Sequence, residues 1–101
     1  MDKNIEKLSQ ILNYLDKVID NRKNDYNEKS YTSKLLKKQI DRISQKVGEE
    51  AVEVVIAANN KNKQNLINES ADLLFHLMIL WKKKQVTLLE IVQELERRKN
   101  D

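Results

Sequence analysis

The residues of this chain best suited to chemistry are two acidic patterns set inside apolar helical sequence. The first lies in Lys46-Val47-Gly48-Glu49-Glu50-Ala51-Val52-Glu53 and the second in Glu69-Ser70-Ala71-Asp72-Leu73-Leu74-Phe75-His76. At about 3.6 residues per turn, Glu50 and Glu53 are neighbours on one helix face, as are Glu69 and Asp72 on another. Steps of about 100° per residue put Glu50 between Ile43 and Ala57, on the stripe of Val47 and Val54, so its carboxylate is predicted to point into packing. Glu49, Glu53 and Glu50 span an arc of about 100° with Glu53 in the middle, and His76 projects between Glu69 and Asp72. If the two helices pack antiparallel, four or five carboxylates converge. Ionised carboxylates in apolar surroundings are neutralised or expelled, so a converging set implies a cation among them. Oxygen-only ligands suit Mg²⁺ or Mn²⁺, and hydrated Mg²⁺ is the usual companion of substrate phosphates. Such an ion bridges phosphate oxygens, stabilises a leaving pyrophosphate and lowers the pKa of an attacking water.

The elements that must position these acids read as helices. Ile5, Leu8, Ile11, Leu12, Leu15, Val18 and Ile19 form an amphipathic stripe that ends near residues 20–23, and polar, Asn-rich residues 21–29 read as a loop. The hydroxyls of Ser30-Tyr31-Thr32-Ser33 before Lys34-Leu35-Leu36 mark a helix start. Its N–H groups suit a phosphate, although a plain N-cap is the simpler reading. A helical pattern resumes through Ile40, Ile43, Val47, Ala51, Val54 and Ala58 and breaks at residues 59–62. Residues 63–84 are apolar nearly all round, which predicts a central helix in a subunit interface. Thr87 and Glu90 form a capping box for a last helix carrying Leu88, Ile91, Val92 and Leu95, which frays into the charged tail 96–101.

Composition agrees. With 101 residues, no Pro and one Gly, the chain is predicted to be one all-α domain, 1–101, small enough to gain from a partner subunit. Nineteen basic residues against sixteen acidic ones give a net charge of +3, an excess that solvated lysines explain without an anionic partner. Without Cys there is neither a disulfide framework nor a Cys-based zinc site. The opening Met1-Asp2-Lys3-Asn4 lacks the apolar core of a signal peptide, and the apolar run 73–81 is too short to span a bilayer, so a soluble, cytoplasmic protein is expected. A lone Gly48 excludes a phosphate-binding glycine loop; inside a helix it marks either a close backbone approach or a tolerated kink. By default His76 is a satisfied core histidine, Lys34 and Lys46 face solvent and Trp81 is core. A single E-x-x-E is usually a solvated face, but two on apolar helices reverse that reading.

Taken together, the Ser30–Leu36 segment, the Lys46–Glu53 string and the Glu69–His76 string resemble phosphoribosyl-ATP pyrophosphohydrolase, the enzyme family of the second step of histidine biosynthesis. The likeness extends over about residues 5–98. The paired acidic motifs alone resemble the wider MazG-type nucleoside triphosphate pyrophosphohydrolases. The resemblance implies an antiparallel helical bundle whose four-helix core is completed by homodimerisation. It also implies Mg²⁺-dependent hydrolysis of 1-(5-phosphoribosyl)-ATP to 1-(5-phosphoribosyl)-AMP and pyrophosphate, with no nucleic acid or membrane partner. By motif match, Glu50, Glu53, Glu69 and Asp72 would be metal ligands. Glu49 would bind metal or activate water, giving Glu49, Glu50 and Glu53 as catalytic acids. Lys34 and Lys46 match basic positions able to hold phosphates, with Ser30, Tyr31 and Thr32 at the substrate's edge. The chain departs from the family at Gln39, where Gly is frequent after the segment matching Lys37 and Lys38. Some relatives are fused to a Cys-ligated, zinc-dependent phosphoribosyl-AMP cyclohydrolase; with no Cys, only the pyrophosphohydrolase step is expected here. Two other readings stay open: a house-cleaning nucleoside triphosphate pyrophosphohydrolase, and a non-enzymatic helical interaction module.

Overall fold

The computed structural model describes residues 2–23 and 30–100. These form five helices in the order α1 (Lys3–Lys23), α2 (Tyr31–Leu36), α3 (Ile40–Ala58), α4 (Lys63–Lys83) and α5 (Leu88–Arg97), with no strand among the described residues. The expected all-α class is therefore observed. Most of the loop expected over 21–29 lies outside the described residues, but Asn21, Arg22 and Lys23 continue α1. None of these helices is long and apolar enough to cross a membrane.

Local chemistry sets the boundaries. Ser30 caps α2, its hydroxyl accepting from the Ser33 N–H, and the Asn62 side chain caps α4 by accepting from Gln64 and Asn65. The capping box at Thr87 and Glu90 is complete. Gln39 precedes α3 with extended backbone and no side-chain cap. Helix α4 ends in a Schellman turn: Val86 N–H reaches the Trp81 carbonyl at 2.8 Å, and Gln85 N–H reaches Lys82 at 3.2 Å. Gln85 occupies the left-handed position at φ 60°.

The four-residue connection 59–62 returns α4 along α3, the most extensive helix pairing in the chain. Helices α1 and α2 also pack on α4, so α4 touches all three and is central as expected. The core gathers Ile19, Leu35, Leu36, Ile43, Met78 and Ile79 from all four. Polar ties support it. Ser33 Oγ donates to the Arg22 carbonyl, Lys83 Nζ donates to the Leu36 carbonyl at 2.9 Å, and Lys82 pairs with Asp20 at 3.3 Å. Helix α5 buries no residue and meets this core through Leu88. The radius of gyration is 15.1 Å, larger than the about 13 Å expected of a compact domain of this length. Gly48 lies on an exposed stretch of α3 where an added Cβ would meet nothing within 4 Å, so among the described residues no other element approaches it closely.

Candidate active site

Helices α3 and α4 bring three carboxylates together. Single oxygens of Glu50, Glu69 and Asp72 all lie within 4.8 Å of one another, a spacing able to hold a metal ion. Glu50 is 9% exposed on the stripe of fully buried Ile43, as the helical phase predicts. Glu69 is half-buried and Asp72 exposed, so the group opens to solvent from the α4 side. Glu53 and Glu49 are exposed and stand outside this trio. Glu53 is nevertheless near enough to act on Glu69, whose carboxyl is held above its ordinary value by partial loss of water and then by the charges of Asp72, Glu53 and Glu50.

Among the described residues, one cation pairs with this group. Lys46 Nζ lies 3.2 Å from Glu50 and 4.0 Å from Glu49, and its hydrogen bond to Glu50 raises its pKa. Lys46 thus pairs with acids one turn along its own helix instead of only facing solvent. Glu49 is oriented through its other oxygen, which accepts from Gln45 Nε2 at 3.1 Å.

His76 shares the helical stripe of the two acids, and its ring nitrogens engage a backbone carbonyl and Tyr31 instead of either carboxylate. Its Nδ1 lies 2.7 Å from the backbone carbonyl of Asp72, and its Nε2 lies 2.7 Å from the Tyr31 hydroxyl. A carbonyl only accepts, so Nδ1 carries a proton, and in the neutral ring Nε2 is the acceptor for the Tyr31 hydroxyl. His76 is buried, with both ring nitrogens engaged and Phe75 edge-on at 5.6 Å: the satisfied core histidine, here tying α2 to the turn of α4 that bears Asp72. Loss of water raises the Tyr31 pKa, opposed by Lys46 and reinforced by Glu50, Asp72 and Glu49, which places its hydroxyl beside the acidic group.

Tyr31 also forms one wall of a cavity of about 350 Å³ between α2 and α3, lined by Lys34, Lys38, Arg42, Lys46 and Glu49 among others. Of the residues expected to bind substrate, Tyr31 from its edge and the phosphate-holding Lys34 and Lys46 face this cavity. Ser30 spends its hydroxyl on the α2 cap, and neither Ser30 nor Thr32 lines the cavity. Sequence reasoning passed over Lys38 and Arg42. The available signal was spacing, since Lys34 with Lys38 and Arg42 with Lys46 are both four apart.

Residues 12–99 match the family described as phosphoribosyl-ATP pyrophosphohydrolase. The chain is 49% identical over 84 residues to a phosphoribosyl-ATP pyrophosphatase of Leptospira biflexa, covering 83% of this chain and 91% of that protein. It is 46% identical over 98 residues to the phosphoribosyl-ATP pyrophosphatase of Clostridium acetobutylicum, covering 97% and 84% respectively. A histidine biosynthesis bifunctional protein of Caldanaerobacter subterraneus is 48% identical over 97 residues, which cover 96% of this chain and 47% of that longer protein.

Proposed function

Since the chain belongs to the phosphoribosyl-ATP pyrophosphohydrolase family, we propose that it hydrolyses 1-(5-phosphoribosyl)-ATP to 1-(5-phosphoribosyl)-AMP and pyrophosphate, with Mg²⁺ as the metal and Mn²⁺ as a substitute. The observation that carries this reading is the meeting of Glu50, Glu69 and Asp72 across two apolar helices. These donors fit a hard cation: all are oxygen, and Lys46 pairs with Glu50 on α3, leaving Glu69 and Asp72 with no ion pair among the described residues.

Glu50, Glu69 and Asp72 would hold the ion, and Glu53, one turn along α3 from Glu49 and Glu50, would serve as a fourth ligand. When bound there, Mg²⁺ places positive charge on the phosphate oxygens and acidifies water. Glu49 accepts the proton of the attacking water at Oε2, while the Gln45 hydrogen bond to Oε1 fixes its orientation. Lys46 Nζ, beside Glu50 at the rim of the acidic group, would hold a phosphate oxygen of the triphosphate. Water adds across the α–β phosphoanhydride, its hydroxyl going to one phosphorus and the bridging oxygen leaving with the other.

Residues 1–101 act as one catalytic domain, and the working unit is a cytoplasmic homodimer without nucleic acid or membrane partners. Its support is the apolar surface left uncovered on α1, α3 and α5, including Leu8, Val55 and Leu95. The test is pyrophosphate release from phosphoribosyl-ATP, ATP and dCTP, each with and without Mg²⁺. Release from phosphoribosyl-ATP alone, and only with metal, is expected. Preference for ATP or dCTP would move the protein to the broader superfamily. Absence of release from any of them would overturn the enzymatic reading.

A further inference from the structure

Resting on that reading, we propose that the basic cavity between α2 and α3 receives the monophosphate at the phosphoribosyl end of the substrate, and that Lys38 and Arg42 thereby select phosphoribosyl-ATP over ATP. The substrate carries phosphate at both ends, a triphosphate on one ribose and a monophosphate on the other, with adenine between them. The protein presents groups in the same order. The carboxylate trio comes first, then Lys46 and Tyr31, then the cavity wall of Lys34, Lys38 and Arg42.

Three features separate the cavity from the triphosphate end. Lys46 is paired with Glu50 and Glu49, whereas Lys34, Lys38 and Arg42 have no carboxylate partner among the described residues, and Arg42 reaches only Gln45 Oε1 at 3.5 Å. Arg42 precedes Glu50 by eight residues, about 12 Å along the helix axis. The β- and γ-phosphates are joined to α through single bridging oxygens and stay near the metal, so these cations are set for a charge farther off. Tyr31, half exposed on the cavity wall with its hydroxyl held by His76, offers a fixed aromatic face for adenine between the two ends. The cavity volume of about 350 Å³ leaves room for a phosphorylated pentose. Unpaired cations on a concave wall are the chemistry that recognises a phosphate dianion, Arg through a two-pronged contact and Lys as a point charge.

The test uses Arg42→Gln and Lys38→Gln, both at exposed positions where folding is not at stake. Each removes a charged hydrogen bond, and about tenfold in affinity is expected per residue. KM for phosphoribosyl-ATP should rise about tenfold, while the inhibition constant of MgATP as a competitor should stay within about twofold. Ribose 5-phosphate, measured by calorimetry, should bind the wild-type protein and bind Arg42→Gln about tenfold more weakly. An equal rise for phosphoribosyl-ATP and MgATP would assign the cavity to the β- and γ-phosphates and overturn the proposal, as would no change for either. Ribose 5-phosphate binding is read without turnover. A wild-type chain that binds it but releases no pyrophosphate would fail the functional reading and leave the cavity's phosphate chemistry supported; no binding would remove that chemistry too.

Discussion

Along the contact of α3 with α4, a glutamate only 9% exposed sits on the stripe of Ile43, whereas along α1 and α5 Leu8 and Leu95 face water at 64% and 62% exposure. The first region carries charge where apolar side chains belong, and the second carries apolar side chains where charge belongs. Both are unfinished, in different ways. Carboxylates facing one another call for a compact cation, because removing any one of them relieves the repulsion but destroys the site. An uncovered apolar stripe calls for another surface, and its individual residues are interchangeable provided they stay apolar. The inner region should therefore be sensitive to isosteric changes that spare the fold, and the outer one only to changes of polarity.

The largest effect is expected in the inner region. Glu50→Gln and Asp72→Asn keep shape and remove charge. Each should lower phosphoribosyl-ATP turnover by roughly a thousandfold or more, since a carboxylate-held metal supplies several kcal/mol to the transition state. The helical circular dichroism should be unchanged. Full activity in either variant would remove that residue from the ligand set and collapse the contrast. Next comes the outer region. Leu8→Glu combined with Ile11→Glu places two charges on a face where burying each side chain is worth roughly 1.5 to 3 kcal/mol. Sedimentation should show the wild-type chain as a dimer and the double variant as a monomer at the same micromolar concentration, whereas Leu8→Met should leave the dimer intact. A wild-type monomer would mean that the apolar face serves something other than a second copy.

These regions were not equally legible in the sequence. Helix phase alone predicted the burial of Glu50, because α3 needed no partner to declare which stripe carries Ile43 and Ala57. Caps at Ser30, Asn62 and Thr87 are local hydrogen bonds, and the Thr87 box was read directly from its spacing. Which acids meet was less visible. The arc on α3 includes Glu49 and Glu53, but the rotation of α4 against α3 decides that Glu50 joins Glu69 and Asp72, and that rotation comes from packing spread over both helices. The partner of His76 was hidden for a similar reason: Tyr31 lies 45 residues earlier, on a different helix. Lys38 and Arg42 become a feature only when α2 folds against α3, while in sequence they look like two more solvated cations.

His76 offers an intermediate test, since it is the polar group that the inner region keeps satisfied without any ligand. His76→Ala leaves the Tyr31 hydroxyl without its partner, removes the side-chain bond to the Asp72 carbonyl and opens space beside Phe75. A loss of about 1 to 3 kcal/mol is expected, or a fall in Tm of several degrees for a domain of this size. Tyr31→Phe in the same background should add little, because the hydrogen bond it deletes is already gone. Additive losses would show that Tyr31 and His76 act separately and that α2 is not held to the acidic turn by this bond.

The smallest effect lies at the junction of the two regions, where Gln85 turns the chain from α4 into α5. Its left-handed backbone at φ 60° costs about 1 to 2 kcal/mol for a residue with a side chain. Glycine avoids that cost but loses roughly 0.5 to 1 kcal/mol more chain entropy on folding. Gln85→Gly should therefore stabilise the protein by a few tenths to about 1 kcal/mol, with the bonds from Gln85 to Lys82 and from Val86 to Trp81 unchanged. Thermal unfolding should show the same small gain in the wild-type and Leu8→Glu/Ile11→Glu backgrounds, because the strain is local to the turn. A gain in the dissociated variant together with weaker association of the otherwise wild-type chain would mean something different. The restricted backbone at Gln85 would then be aiming the apolar face of α5 at its partner, and that face would have to be treated as a positioned surface instead of an interchangeable one.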